Sequence, residues 1–221
     1  NSIVYYNTPE NYSADLMSLS CTWPASGGGG CITDAPMFKV GPLASFHLLY
    51  GSPCIDSGSD AGGTAPSNDL EHTARPLDGN WDGTNDYDMG CVEYDPQTSD
   101  SNDDGIPDWW CHQFSLDPTN PATAHGDGDF DGSDNLDEWN ADTSPADSNS
   151  YLRFFTVDSD GSSILLTFGG GTQAWLIVED TMDITNGSWS LDTAIPPPTL
   201  RTNSMGIGPY NRSFFRLRAH R

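Results

Sequence analysis

Short apolar runs separated by Gly, Pro, Asp and Ser dominate the first part of the chain. The runs are NSIVYYN, APMFKV, FHLLYGSPCIDSG and DMGCVEYD, and none shows the 3.6-residue periodicity of an amphipathic helix. NSIVYYN is rich in β-branched and aromatic residues and has Asn at both ends, which predicts a short strand bounded by turns. We therefore expect this part of the chain to be all-β and rich in loops.

Two acidic segments with the same layout follow one another in the middle of the chain. SDSNDDGIPDWWCHQFSLDPTNP aligns with DGDFDGSDNLDEWNADTSPADS when Gly105 is placed over Gly132, an offset of 27 residues. Each has an acidic loop around a Gly, then a stretch compatible with a short helix that carries Trp, then an exit that contains Pro. Pro107 suits a first helical position, and Trp110 and Phe114 are four residues apart, on one helix face. These aromatic side chains are expected in the core.

The last segment returns to a β pattern. SSILLTF places Ile164, Leu166 and Phe168 on one face of a strand, and SFFRLRAH alternates apolar residues with Arg and His. AWLIVED is a continuous apolar run that is typical of a buried strand. With turns between these runs, the pattern predicts a small antiparallel β-sandwich.

The chain is strongly acidic, with 32 Asp and Glu against eight Lys and Arg and a net charge of −24. Phosphate recognition needs a surface rich in Lys and Arg, so this balance argues against nucleic acid and against anionic membranes as partners. From Pro76 to Leu152 there are nineteen Asp and Glu and no Lys or Arg. A segment this acidic repels itself unless cations bind, which predicts bound metal ions.

Cysteine use and composition predict a secreted protein in an oxidising compartment. The chain has five Cys and one Lys, and no window reaches the 18 apolar residues that a transmembrane helix needs. Cys21 and Cys31 bracket the flexible loop TWPASGGGG, which a disulfide between them would close. Cys54 and Cys91 each adjoin an apolar run and form the second expected pair. The alternative is buried thiols, and Cys111 is left over in either case.

Five motifs occur in order: NSIVYYN, SCTWPASGGGGCITDAPMF, FHLLYGSPCIDSGSDAG, ARPLDGN and DMGCVEY. This series resembles the carboxyl-terminal end of secreted bacterial right-handed parallel β-helix proteins. In that family Asn-flanked rungs stack as a solenoid, and the D-M-G-x-x-E-Y pattern finishes the coil. A solenoid needs at least about three stacked repeats. The resemblance therefore implies upstream rungs before Asn1, or a neighbouring subunit that stacks on the first strand.

The second acidic loop matches the calcium-loop pattern D-x-[DN]-x-[DN]-G-x5-E without a gap. Its predicted ligands are Asp127, Asp129, Asp131, the Ser133 carbonyl, Asn135 directly or through water, and a bidentate Glu138. Gly132 permits the sharp turn. Carbonyls and a bidentate carboxylate form a flexible oxygen shell that suits Ca²⁺ better than Mg²⁺. The alternative is a solvated acidic loop.

The first acidic loop is less complete. Its predicted ligands are Asp100, Asn102, Asp104, the Ile106 carbonyl and Asp108. The twelfth position is Cys111, and a thiol is a poor ligand for Ca²⁺, so another carboxylate of the repeats would have to complete the shell. The alternative is a capped turn. In tandem, the two loops resemble the EF-hand-like loops of dockerin and thrombospondin type 3 repeats, so one or two calcium ions are expected.

These features together predict a mainly β chain in three parts. Residues 1–96 are expected to form the last rungs and cap of a right-handed parallel β-helix, and residues 97–149 a linker of tandem calcium-binding repeats. Residues 150–221 are expected to form the β-sandwich, which weakly resembles modules that end many secreted bacterial proteins.

The sequence carries no G-x-S-x-G elbow, phosphate loop or H-E-x-x-H motif. It therefore predicts a non-catalytic, calcium-stabilised carboxyl-terminal region of a secreted or cell-surface β-helix protein, with a structural, adhesion or assembly role and a polysaccharide or cell-surface ligand. Two alternatives stay open. One is the tail of a polysaccharide lyase or glycosidase whose catalytic rungs lie upstream. The other is a self-assembling extracellular subunit.

Overall fold

The computed structural model describes residues 1–5, 18–23, 29–39, 46–159, 164–169, 175–181, 190–195, 203–207 and 214–220. Two motif segments used above, residues 6–7 and 24–28, lie outside the described residues. The chain forms two compact units. The first contains Asn1–Asp103, Pro107–His112 and Asp117–Thr119, and the second contains Asp104–Ile106, Gln113–Leu116 and Asn120–Arg221. The predicted division into three parts stays a prediction.

Among the residues that the structure describes, two two-residue strands and three short helices come before the longer strands of the second unit. Strands β1 (Ile3–Val4) and β2 (Cys21–Thr22) come first, followed by helix α1 (Asp108–Gln113), a 3-10 helix (Thr123–His125) and helix α2 (Asn135–Ala141). The remaining strands are β3 (Arg153–Ser159), β4 (Ile164–Gly169), β5 (Trp175–Thr181), β6 (Ser190–Ile195), β7 (Asn203–Ile207) and β8 (Phe214–His220).

Parallel pairing characterises the amino-terminal part of the first unit. β1 pairs with β2 in parallel, with Ile3 opposite Cys21, and Cys21 also forms a parallel bridge with Ile32. Cys21 is completely buried because it has a neighbour on each side, whereas Ile3 and Ile32 are half-buried. Successive passes of a chain stacked in parallel are what solenoid rungs require. The right-handed β-helix itself stays a prediction.

The D-M-G-x-x-E-Y motif lies in a buried polar network. Arg75 Nε lies 2.6 Å from Glu93 Oε2, and the two side chains are 6% and 1% exposed. The Arg75 guanidinium also donates to the Asp88 carbonyl oxygen at 2.8 Å. The Asp88 carboxylate accepts hydrogen bonds from the backbone N–H groups of Asp56 and Tyr94. The ARPLDGN, SPCIDSG and DMGCVEY motifs therefore occur together because their polar groups satisfy one another.

An apolar cluster lies beside this network in the first unit. Its buried members are Cys21, Leu48, Cys54, Ile55, Met89 and Tyr94. Half-buried residues from β1 and the following loops, among them Ile3 and Phe38, pack against it.

The two acidic repeats fold alike, as their 27-residue offset predicts. Helix α1 begins at Asp108 and helix α2 at Asn135. The Asp108 N–H donates to the Ser99 carbonyl at 2.8 Å, and the Asn135 N–H donates to the Gly126 carbonyl at 2.8 Å, the equivalent positions of the two repeats. Trp110 is only 2% exposed, which confirms its predicted place in the core.

Two three-stranded antiparallel sheets follow in the second unit. Their strand orders are β3-β4-β7 and β6-β5-β8. The strands predicted from SSILLTF, AWLIVED and SFFRLRAH correspond to β4, β5 and β8. In β8, Leu217 and Ala219 are half-buried and Arg218 is exposed, as the alternation predicts, but Arg216 is also half-buried. The sandwich arrangement of the sheets stays a prediction.

The structure contains no disulfide among its five cysteines, and the predicted pairs Cys21–Cys31 and Cys54–Cys91 stay predictions. Cys21 is completely buried in the apolar cluster, whereas Cys31 is half-buried and is not a member of that cluster. Cys54 is buried whereas Cys91 is exposed, so their side chains do not face each other. The thiols of Cys21 and Cys54 lie close enough for each to shift the pKa of the other.

Candidate metal centre

The second acidic loop wraps its backbone around the first aspartate. The N–H groups of Phe130 and Gly132 donate to the two carboxylate oxygens of Asp127, at 2.8 and 3.1 Å. The backbone has positive φ at Phe130 (64°) and at Gly132 (96°). A Cβ at Gly132 would meet no atom within 4 Å, so the left-handed backbone, and not crowding, selects glycine at this position.

Local turns orient the next two aspartates. Asp129 Oδ1 accepts a hydrogen bond from the Asp131 N–H at 3.2 Å, and Asp131 Oδ1 accepts one from the Ser133 N–H at 2.8 Å. In each of these carboxylates Oδ1 accepts a backbone hydrogen bond, and Oδ2 has no hydrogen-bond donor among the described residues. Carboxylate oxygens of Asp127, Asp129 and Asp131 lie within 4.8 Å of one another.

Helix α2 supplies the other predicted ligands. Asp134 caps its amino end, where the carboxylate accepts a hydrogen bond from the Asp137 N–H at 2.9 Å. Asn135 and Glu138 are three residues apart on one helix face, and they are 3% and 1% exposed. The Asn135 amide donates to the Thr123 carbonyl of the 3-10 helix at 2.7 Å, which fixes the orientation of its oxygen.

Five buried side-chain oxygens of this site have no hydrogen-bond donor among the described residues. They are Asp129 Oδ2, Asp131 Oδ2, Asn135 Oδ1, Glu138 Oε1 and Glu138 Oε2. A buried acceptor without a donor costs about 1–3 kcal/mol, and more when it is charged. A divalent cation removes this cost, because oxygen acceptors are the ligands that it binds. The residues present therefore fit a calcium ion, and Ser133, the seventh-position residue, lies half-buried in the same loop.

The electrostatics of Glu138 agree with this geometry. Burial first, and then the negative charges of Asp129, Asp131 and Asp127, together raise the pKa of Glu138 to about 8. When ionised, the Glu138 carboxylate therefore lies among negative charges, with no positively charged group acting on it among the described residues. A divalent cation favours the ionised form of such a group, the form that binds metal with both oxygens.

The first acidic loop shares the backbone conformation of the second. Asp104 Oδ1 accepts a hydrogen bond from the Ile106 N–H at 2.9 Å, as Asp131 does in the second loop. The backbone again has positive φ at the fourth and sixth positions, Asp103 (57°) and Gly105 (90°). The local sequence pattern therefore produces the same turn in both repeats.

The ninth-position residues of the two loops differ in what they bind. Asp108 is completely buried, and its Oδ1 accepts from the Ser101 N–H at 2.9 Å. Its Oδ2 accepts from the Ser101 hydroxyl at 2.7 Å and from the Tyr94 hydroxyl at 2.6 Å. Both oxygens are therefore bonded to protein donors, unlike the oxygen of Asn135 in the second loop.

A lysine side chain also contacts the first loop. Lys39, the single Lys of the chain, places Nζ 2.6 Å from Asp103 Oδ1 and 2.6 Å from the Asp100 carbonyl oxygen. Asn102 is half-buried, and Cys111 at the twelfth position is completely buried in α1. Among the described residues, the three aspartates of the second loop are the one group of acidic, His or Cys ligands that comes this close together.

A third loop of the same type, residues 78–86, is not among the predicted sites. The Gly83 N–H donates to Asp78 Oδ2 at 3.0 Å and the Asp82 N–H donates to Asn80 Oδ1 at 2.9 Å, as in the second loop. Positive φ recurs at the fourth and sixth positions (66° and 89°). The sequence pattern that indicates this turn is D-x-N-x-D-G, at residues 78–83. No helix follows to add a buried amide and glutamate, so the turn alone does not define a metal site.

No protein-family model matches the chain, and neither a curated protein nor a solved structure matches it. None of the helices in the described part of the chain is long and apolar enough to cross a membrane. The function is therefore argued from the geometry and charge of the chain's own residues.

Proposed function

We propose that this chain is a non-catalytic, calcium-stabilised structural region of a secreted or cell-surface protein. The observation that carries the proposal is the set of five buried, donor-free oxygens in the second loop and α2. One calcium ion is held by Asp127, Asp129, Asp131, the Ser133 carbonyl, Asn135 and Glu138. The ion neutralises a cluster of carboxylates that otherwise repel one another.

Calcium suits this site better than magnesium or a transition metal. The ligand set contains only oxygen, which hard cations prefer, whereas zinc and copper select nitrogen and sulfur. Extracellular calcium modules often bind at roughly 10⁻⁴ to 10⁻³ M. At about one hundred times the dissociation constant, one ion stabilises the folded state by about 2.7 kcal/mol. That is a large share of the stability of a small domain.

The proposed ion acts on the fold of its own segment. Asn135 connects the site to the 3-10 helix through Thr123, and the Glu138 carbonyl accepts a hydrogen bond from the Thr143 N–H at 3.0 Å. The ligands are thus part of the backbone framework of residues 123–143. When the ion is removed, the carboxylates repel one another again, and this repulsion destabilises residues 123–143. The segment is stiff where calcium is plentiful, as it is outside cells.

The proposal also places the chain at the carboxyl-terminal end of a β-helix protein. The parallel alignment of Ile3, Cys21 and Ile32 supports it, as do the five ordered motifs. A cleft of about 450 Å³ beside β1 is lined by apolar side chains that include Ile3 and Phe46, and Phe46 is 56% exposed. The partner proposed for this surface is a further parallel strand, from upstream rungs or from a neighbouring subunit.

The proposed calcium dependence is tested by thermal unfolding and limited proteolysis of the whole chain, with calcium and with excess chelator. Chelation is expected to lower the melting temperature and to open residues 97–149 to cleavage. Glu138→Gln is expected to remove the calcium effect. Asp137→Asn, which makes the same charge change at an exposed neighbour on α2, is expected to keep it. A melting curve and digestion pattern of the wild type that chelator leaves unchanged would contradict the proposal.

A further inference from the structure

Two cysteines from distant parts of the sequence meet in the core of the first unit. Cys21 lies in β2, and Cys54 lies in the turn that begins at Ser52. Both side chains are 0% exposed, and both belong to the same apolar cluster. The two thiols lie close enough for each to shift the pKa of the other, and the Cys21 thiol donates to the Asp34 carbonyl oxygen at 3.3 Å.

The other three cysteines do not compete for this contact. Cys31 is half-buried and is not a member of the apolar cluster, and Cys91 is exposed. Cys111 is buried in α1, apart from the apolar cluster that holds Cys21 and Cys54. The fold therefore selects one pair out of the ten that five cysteines allow, a count that follows from the five Cys of the sequence.

We propose that Cys21 and Cys54 form a disulfide when the protein folds in an oxidising compartment. A low-molecular-weight disulfide such as oxidised glutathione is the oxidant. The thiolate of one cysteine attacks this disulfide, which forms a mixed disulfide and releases one thiol. The thiolate of the second cysteine then attacks the mixed disulfide, which closes the Cys21–Cys54 bond and releases the second thiol. Two electrons and two protons pass from the cysteine pair to the two released thiols.

Formation of this bond belongs to folding and not to the finished fold. Burial raises the pKa of both thiols, most strongly that of Cys54, so the native environment disfavours the thiolate that exchange requires. The exchange therefore proceeds while the core is still open. The bond then closes a loop of roughly 30 residues between β2 and the SPCIDSG motif.

The test uses the whole chain, denatured and reduced and then refolded in a glutathione redox buffer. After acid quenching and thiol blocking, mass spectrometry of a non-reduced digest is expected to find the Cys21–Cys54 peptide pair, and three of the five thiols blocked. Reduction is expected to lower the melting temperature by about 10 °C. Five blocked thiols, or a linkage of Cys21 to Cys31, would overturn the inference.

Cysteine-to-serine variants distinguish the assigned disulfide from one that forms because the protein misfolds. Cys21→Ser and Cys54→Ser are each expected to abolish the cross-linked peptide and leave four blocked thiols. Cys31→Ser and Cys91→Ser are expected to keep both the peptide and the sensitivity of melting to reductant. Loss of the Cys21–Cys54 peptide in a Cys31→Ser protein that still folds would contradict the assigned pair. The inference does not depend on calcium, so its failure and that of the calcium site are separable.

Discussion

The Tyr94 hydroxyl donates a 2.6 Å hydrogen bond to Asp108 Oδ2. Tyr94 ends the D-M-G-x-x-E-Y motif, and Asp108 occupies the ninth position of the first acidic loop. The bond therefore connects this motif to the start of α1. It also uses an oxygen that the calcium-loop pattern assigns to metal.

Asp108 is accordingly expected to stabilise the protein without binding calcium. Asp108→Ala removes the acceptor of three protein hydrogen bonds and is expected to cost about 3 kcal/mol in the free energy of unfolding. Tyr94→Phe is expected to cost about 2 kcal/mol, because the buried carboxylate loses one donor. Calcium stoichiometry, measured by isothermal titration, should not change in either variant. Loss of one bound ion with little change in urea unfolding would instead identify the first loop as a calcium site.

Glu138 is expected to have opposite effects with and without calcium. In chelator at pH 7 the folded state must hold Glu138 protonated, because its pKa is about 8. Glu138→Gln removes the cost of that protonation and should stabilise the folded state by roughly 2 kcal/mol. In saturating calcium, the same variant should be less stable than the wild type, because it loses the stabilisation by the ion. Urea unfolding under both conditions measures whether the order of stability of the variant and the wild type reverses. A Glu138→Gln protein that is less stable in both conditions would mean that Glu138 is a structural residue and not a ligand.

Gly132 is expected to be required for its backbone conformation. Gly132→Ala places a Cβ on a residue with a φ of 96° and should cost about 1–2 kcal/mol in unfolding free energy while weakening calcium binding. Gly29→Ala is the matched control, since a Cβ there also meets no atom within 4 Å and no positive φ is present. Equal effects of the two substitutions would show that the left-handed turn is not what selects glycine.

Asp88 is expected to make stability fall as pH rises. Burial raises the pKa of Asp88 to about 7, despite hydrogen bonds from the Tyr94 and Asp56 N–H groups. The folded state thus holds a proton that the unfolded state, with a pKa near 3.9, releases earlier. The stabilisation is complete below about pH 4 and is lost as pH rises through about 7, a change on the order of 3 kcal/mol. Asp56, with a pKa raised to about 6, acts in the same direction.

This pH dependence is measured by urea unfolding between pH 5 and pH 8 in saturating calcium, so that Glu138 stays ionised and bound. Asp88→Asn mimics the protonated carboxyl group and should reduce the slope by about half. Asp86→Asn removes the same charge from an exposed side chain and should leave the slope close to that of the wild type. An Asp88→Asn protein with the full wild-type slope would contradict the assignment.

The second loop could be predicted from the sequence because its geometry is local. The ligands fall within twelve residues, where short turns and one helix face determine which oxygens point inward. The state of the first loop could not be predicted, because Tyr94 and Lys39 reach it from outside the repeat. Their positions depend on the path of the whole first unit, which no local pattern encodes.

The cysteines illustrate the same limit. The Cys21–Cys31 pair was predicted from closeness in sequence, whereas the structure places Cys21, and not Cys31, in the buried apolar cluster. The contact between Cys21 and Cys54 arises because β2 and the turn after Ser52 share one core. Spacing between cysteines carries no information about that packing.

The most direct test of the central claim is a calcium titration of the wild-type chain and Glu138→Gln by isothermal titration calorimetry. We predict one ion for the wild type, and at least about 100-fold weaker binding for Glu138→Gln, since even the outer partners of metal ligands are worth roughly 10- to 100-fold. Absence of binding to the wild type at millimolar calcium, or unchanged binding to Glu138→Gln, would contradict the account.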